Sequence, residues 1–175
     1  MATDALKSTA ITNLDATPPF RSTAGEGATG EMRENGAVLV TTAGAAVGST
    51  YKFLRLPTNA KVKHLFIENG NASGGSYNAG IYYSDSTTDG TSPGNQGATL
   101  ATTLFASAYS LAAVIGEPTD IVNASGSYGM AERLVPLWSA CGLTADPGGA
   151  FDIVLTSTVT PLAATTISLS AQFVL

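Results

Sequence analysis

Charge is scarce in this 175-residue chain: 8 Lys and Arg face 13 Asp and Glu, charged residues are 12% of the total, and the formal net charge is −5. Soluble domains average about a quarter charged residues. So few charges repel neighbours weakly, which points to a surface that meets other protein. The acidic balance excludes a nucleic-acid partner, which needs clustered Lys and Arg to displace counterions. There is one cysteine, Cys141, which closes no internal disulfide. With a single histidine beside it, the chain falls short of the Cys and His ligands that a zinc site takes. No apolar run approaches the roughly 18 residues of a membrane-spanning helix, and Met1-Ala-Thr-Asp-Ala-Leu-Lys lacks the charged and apolar regions of a secretion signal. Neither export nor a membrane partner is expected.

What is abundant is small: Ala, Gly, Ser and Thr together are nearly half of the chain. Hydrophobic residues still make up 44%, enough to exclude disorder throughout, and the length allows one domain plus an arm. Residues 1–36 carry Pro18-Pro19, Gly25, Gly27 and Gly30, with no sustained apolar period, and read as an extended N-terminal arm. The domain proper is expected over 37–175. Strand-length runs follow at Ala37 to Thr42, Thr50 to Leu56, Lys61 to Glu68 and Tyr77 to Tyr83, separated by turn-forming clusters, of which Asn69-Gly70 is the sharpest. Phe151, Ile153 and Leu155, then Ile167, Leu169, Ala171, Phe173 and Leu175, alternate with polar residues, each run having one buried face. These two runs are expected to form an antiparallel pair that ends the chain inside a sheet. Residues 85–97 read as an exposed loop. The one helix expected is short and lies within Thr99 to Gly116, where Leu100, Leu104, Leu111 and Ile115 fall near helical spacing among alanines. The fold class is therefore all-β with at most one short helix.

Residues able to do chemistry lack the context it requires. His64 sits within Lys-Val-Lys-His-Leu-Phe-Ile-Glu, beside Val62 and Phe66 by strand alternation, and no Gly-x-Ser-x-Gly elbow accompanies it. Gly25-Glu-Gly27-Ala-Thr-Gly30 matches a dinucleotide fingerprint as a string, but Pro18-Pro19 precedes it and no βαβ pattern follows. Asp85 to Gly90 lacks calcium-loop spacing, and Asp120, Glu132, Asp146 and Asp152 offer no anchored carboxylate pair. No catalytic, metal or cofactor residue is assigned. The candidates left are for assembly. Ile11, Leu14, Pro18, Pro19 and Phe20 are scattered apolar anchors in the arm. Lys52, Arg55, Lys61 and Lys63 form a local basic patch on two strands read as adjacent, suited to an acidic protein surface. Trp138 is a core or subunit-interface anchor.

Several segments, among them Ser8 to Pro19, Thr50 to Val62, Ala79 to Tyr83, Leu104 to Ala113 and Pro136 to Thr156, resemble small structural proteins of tailed bacteriophages, of the head decoration, cement or minor capsid type. The resemblance implies a jelly-roll-like antiparallel β-sandwich with an extended N-terminal arm. It also implies a non-enzymatic virion role, the major capsid protein as partner, and synthesis in the bacterial host cytoplasm. The low charge adds self-association as a trimer or dimer. The alternative is a tail, neck or fibre component whose β-sandwich binds a receptor or glycan, with Tyr77, Tyr82, Tyr83, Tyr109 and Tyr128 as exposed stacking residues.

Overall fold

The computed structural model describes residues 31–84 and 95–175. The arm residues Ile11, Leu14, Pro18, Pro19 and Phe20, and most of the 85–97 loop, lie outside the described residues. Eight strands form two four-stranded sheets: β1 (Arg33–Val40), β2 (Thr50–Pro57), β3 (Lys61–Asn69), β4 (Ser76–Tyr83), β5 (Thr99–Ser110), β6 (Ile115–Asp120), β7 (Ala150–Val159) and β8 (Thr166–Val174). One sheet has the order β1-β8-β3-β6, the other β2-β7-β4-β5, and every pairing is antiparallel. The first strand pairs with the last, the second with the seventh, the third with the sixth and the fourth with the fifth. That is one long hairpin rolled into a sandwich, the jelly roll.

Alternation builds the core. In β8 the burial pattern is strictly period two, with Ile167, Leu169, Ala171 and Phe173 inward and Ser168, Ser170 and Gln172 outward. Facing them across the sandwich are Leu54, Leu56, Ile81, Ile153 and Leu155 from the other sheet. Tyr128 closes part of the core, fully buried, its ring edge-on to Phe105 at 5.0 Å and its hydroxyl donating to the Val62 carbonyl at 3.2 Å.

Four expectations need correction. Residues 99–116 are no helix: they form β5, a turn and the start of β6, and the one α-helix among the described residues is the four-residue α1 (Leu137–Ala140). Packing against β4 overrides the alanine propensity, and bulges hide the strand period. Between Ala79↔Ala106 and Ile81↔Ala101, two steps on β4 face five on β5. β7 and β8 do not pair; residues 160–165 carry the chain from one sheet to the other. β1 also takes in Arg33 to Gly36, expected from sequence in the arm, because an edge strand with an exposed outer face tolerates charge and glycine. Finally, β2 and β3 are not neighbours but lie in opposite sheets.

Candidate assembly surface

The groups with chemical potential sit on the outer faces. A register shift between Val62 and His64 turns His64 away from buried Val62 and onto the face of Phe66, on which its ring stacks at 5.6 Å. Its Nδ1 lies 2.8 Å from Asp120 Oδ2, while Asp120 Oδ1 accepts from the Leu65 and Val122 amides at 3.2 and 3.0 Å. Burial alone pushes the Asp120 carboxyl up, but the His64 hydrogen bond, the two amides and the His64 charge together outweigh it and hold the group below its usual value. Among the described residues no hydroxyl or thiol hydrogen-bonds to His64. The Cys141 thiol is pushed up to about 12 by burial. Among the described residues no group of three His, Cys, Asp or Glu side chains is placed to hold a metal.

The basic residues are dispersed. Lys52 and Arg55 border a shallow cleft of about 330 Å³ on the β2 edge, where Arg55 Nε and Nη2 fork onto Asp152 Oδ1 and Oδ2 at 2.7 and 3.0 Å. Lys61 and Lys63 start β3 in the other sheet, and Lys63 donates to the Arg133 carbonyl. Trp138 is half-buried against the core on α1, which packs on the β2–β3 turn through Leu137 N–H to Ala60 O and Trp138 N–H to Thr58 O. Of the tyrosines offered for sugar stacking, Tyr77, Tyr82 and Tyr128 are buried, which removes most of that platform.

The structure assembles something the sequence reading missed. In a rolled hairpin the odd-to-even connections (β1–β2, β3–β4, β5–β6 and β7–β8) meet at one end. Backbone bonds stitch them together: Gly44 N–H to Pro161 O, Leu162 N–H to Ser73 O and Ser73 N–H to Leu111 O, at 2.8 to 3.0 Å. Asn69, buried at the end of β3, donates to Ala113 O at 3.1 Å and accepts from the Ile115 amide at 2.7 Å. Asn71 donates to Ala164 O at 2.8 Å. Residues 40–49, 70–76, 110–116 and 158–166 contain no charged residue at all. On this end Val40, Val47, Val114, Val159 and Leu162 are exposed, Leu162 by 85%. The opposite end carries Glu132, Arg133 and Asp146 in the long β6–β7 connection. An uncharged, apolar and internally braced end is a surface suited to contact with protein. Its signal lay in the sequence as four charge-free turns, but only the topology says that they are neighbours.

No family model matches the chain, and no curated protein matches it. Among solved structures it is similar to one described as "Cyanophage Pam1 capsid asymmetric unit", with a TM-score of 0.50 and 13% sequence identity over 92% of this chain and 96% of that chain. At that identity the likeness is one of fold.

Proposed function

We propose that this chain is a non-enzymatic structural protein of a phage virion, which docks on the major capsid protein and bridges neighbouring shell subunits as a decoration or cement protein. The observation that carries the reading is the braced, charge-free end with its five exposed aliphatic side chains. The likeness in fold to a capsid asymmetric unit over nearly the whole chain supports it. Burying a large aliphatic side chain gains roughly 1.5–3 kcal/mol. Association costs about 4–15 kcal/mol, so a single such contact is weak and several per copy are needed on a repeating lattice. Residues 1–30 supply further anchors in this reading, through Ile11, Leu14, Pro18, Pro19 and Phe20, and the copies associate with one another as a trimer or dimer.

The test mixes purified protein with undecorated particles and counts bound copies per shell subunit after sedimentation. Wild-type protein saturates at a fixed ratio, and Val47→Asp with Leu162→Asp lowers occupancy at least tenfold while leaving the circular dichroism unchanged. Binding to tails alone, or to glycans on an array, would replace the capsid reading with the tail or fibre one.

A further inference from the structure

An eight-stranded jelly roll leaves four strand edges open, and three of them are blunted here. β6 contains Pro118, and its register with β3 shifts between Ile67 and Asn69. β2 breaks register between Lys52 and Leu54, presents Lys52 and Arg55, and ends on Pro57. β5 shifts register three times against β4 and holds Ala108 at a φ of 48°. Prolines, bulges and edge lysines are the devices that stop a sheet from adding a further strand. β1 has neither a proline nor a bulge, and its charged residues, Arg33 and Glu34, sit at its start and leave Gly36 to Val40 uncharged. It runs in unbroken register with β8 from Arg33↔Phe173 to Val40↔Thr166, and among the described residues no strand pairs with its other edge. One side-chain bond, Asn35 Nδ2 to Arg55 O at 3.4 Å, reaches across from it to β2. Val38 and Val40, 66% and 60% exposed, stand beside that open edge.

We infer that β1 pairs with β1 of a second copy, antiparallel about a twofold axis at Val38, which joins the two β1-β8-β3-β6 sheets into one. The occupant follows from self-complementarity. A twofold perpendicular to the sheet keeps each face continuous, so facing residue numbers sum to an even value. With Val38 opposite Val38 of the second copy, Val40 lies opposite Gly36 and fills the space its missing side chain leaves. Ala37 then meets Leu39 on the inner face. Arg33 and Glu34 lie beyond the facing run, so no like charges meet within it. With this centre Gly36 to Val40 of each copy face one another, a ridge roughly 17 Å long, small beside the 1,200 Å² or more that stable pairs bury, at about the limit of a weak association. It deepens the proposed self-association but is measured without particles, so its failure and that of the capsid reading are distinguishable.

The experiment is sedimentation of the full chain from about 10 to 300 µM, together with oxidative cross-linking by diamide. Wild-type protein shifts from monomer to dimer across that range. The double variant Val38→Lys with Val40→Lys weakens the dimer at least tenfold, with unchanged circular dichroism. Leu162→Lys, on the loop end, leaves it intact. Val38→Cys forms an intermolecular disulfide, since facing Cα atoms in an antiparallel pair lie within disulfide reach. Val40→Cys, which faces Gly36, does so far more slowly, and wild-type protein reports any background from Cys141. Wild-type protein that is monomeric at 300 µM overturns the inference, as does a dimer indifferent to the two lysines. A dimer lost in Leu162→Lys instead places the contact on the loop end, and one lost on deleting residues 2–30 assigns the edge to that segment. Equal cross-linking at positions 38 and 40 refutes the Val38-centred register.

Discussion

Adding one methyl group to β4 tests how the second sheet is built. Gly80 lies between buried Ala79 and Ile81, and the bulged part of β5 passes over it so closely that an added Cβ would overlap the Ala101 carbonyl oxygen and the Thr102 backbone. The obstacle is main chain, which cannot swing aside as the tip of a long side chain can. Overpacking of this kind costs typically 1–3 kcal/mol, and with backbone as the neighbour Gly80→Ala belongs near the upper end, about 3 kcal/mol. For a domain of this size each kcal/mol moves Tm by roughly 2–4 °C, so the variant melts about 6–12 °C below wild type. Gly116→Ala is the matched control, because a Cβ there meets nothing within 4 Å. Thermal melts followed by circular dichroism compare the two. A Gly80→Ala melt within 1 °C of wild type would refute the close approach, and an equal fall in both variants would show that the loss does not come from contact with β5.

Two of the buried tyrosines separate in stability measurements: Tyr128→Phe costs about 1 kcal/mol, because the Val62 carbonyl loses its partner. Tyr77→Phe is neutral or stabilising in urea melts, since the Tyr77 hydroxyl is buried without a hydrogen-bond partner. Cys141, its thiol pushed up to about 12, resists iodoacetamide at pH 8 in the native protein and reacts promptly in denaturant; fast native labelling contradicts that burial. Asp120 is held below its usual value, so its stabilisation is present above the unfolded carboxyl value near 3.9 and is lost as pH falls through the lower native one. Urea midpoints therefore fall further between pH 5 and pH 3 for wild type than for Asp120→Asn, and parallel falls would show that the partners of this carboxylate, His64 and the Leu65 and Val122 amides, do not favour its charged form in the fold.

The parts of the fold that could be read from sequence are those where the period is unbroken. β8 keeps strict alternation over its length, and its inward residues are the ones expected. The bulged strands hide it: Phe53 and Phe66, large apolar residues within strand-length runs, are only half-buried, Phe53 at the β2 register shift and Phe66 stacked under His64 on an outer face. One extra residue exchanges the faces of everything after it, and composition does not reveal where that residue falls. The turn dipeptide Asn69-Gly70 does mark the end of β3, yet Asn69 acts chiefly through a buried amide that holds the β5–β6 turn. Lys52 and Lys61, near in sequence, are separated by the change of sheet between β2 and β3.

Charge placement gives the two proposed contacts a common logic. A chain of net charge −5 repels its own copies, and at physiological salt that repulsion reaches about 8 Å. Contacts between copies, and with a shell, cost least where no charge must lose its water. The loop end carries none, and along β1 Gly36 to Val40 is an uncharged run with Arg33 and Glu34 beyond it. Charge is instead retained on the blunted edges and in the β6–β7 connection, where Lys52 is exposed, Arg55 pairs with Asp152 and Glu132 accepts from the Gly129 amide. If both contacts form, one jelly roll meets the shell with its loop end and a neighbour with its β1 edge. Those surfaces share Val40, where β1 leaves the sheet for the β1–β2 turn, so Val40→Lys alone should weaken both particle occupancy and self-association, whereas Leu162→Lys weakens occupancy only.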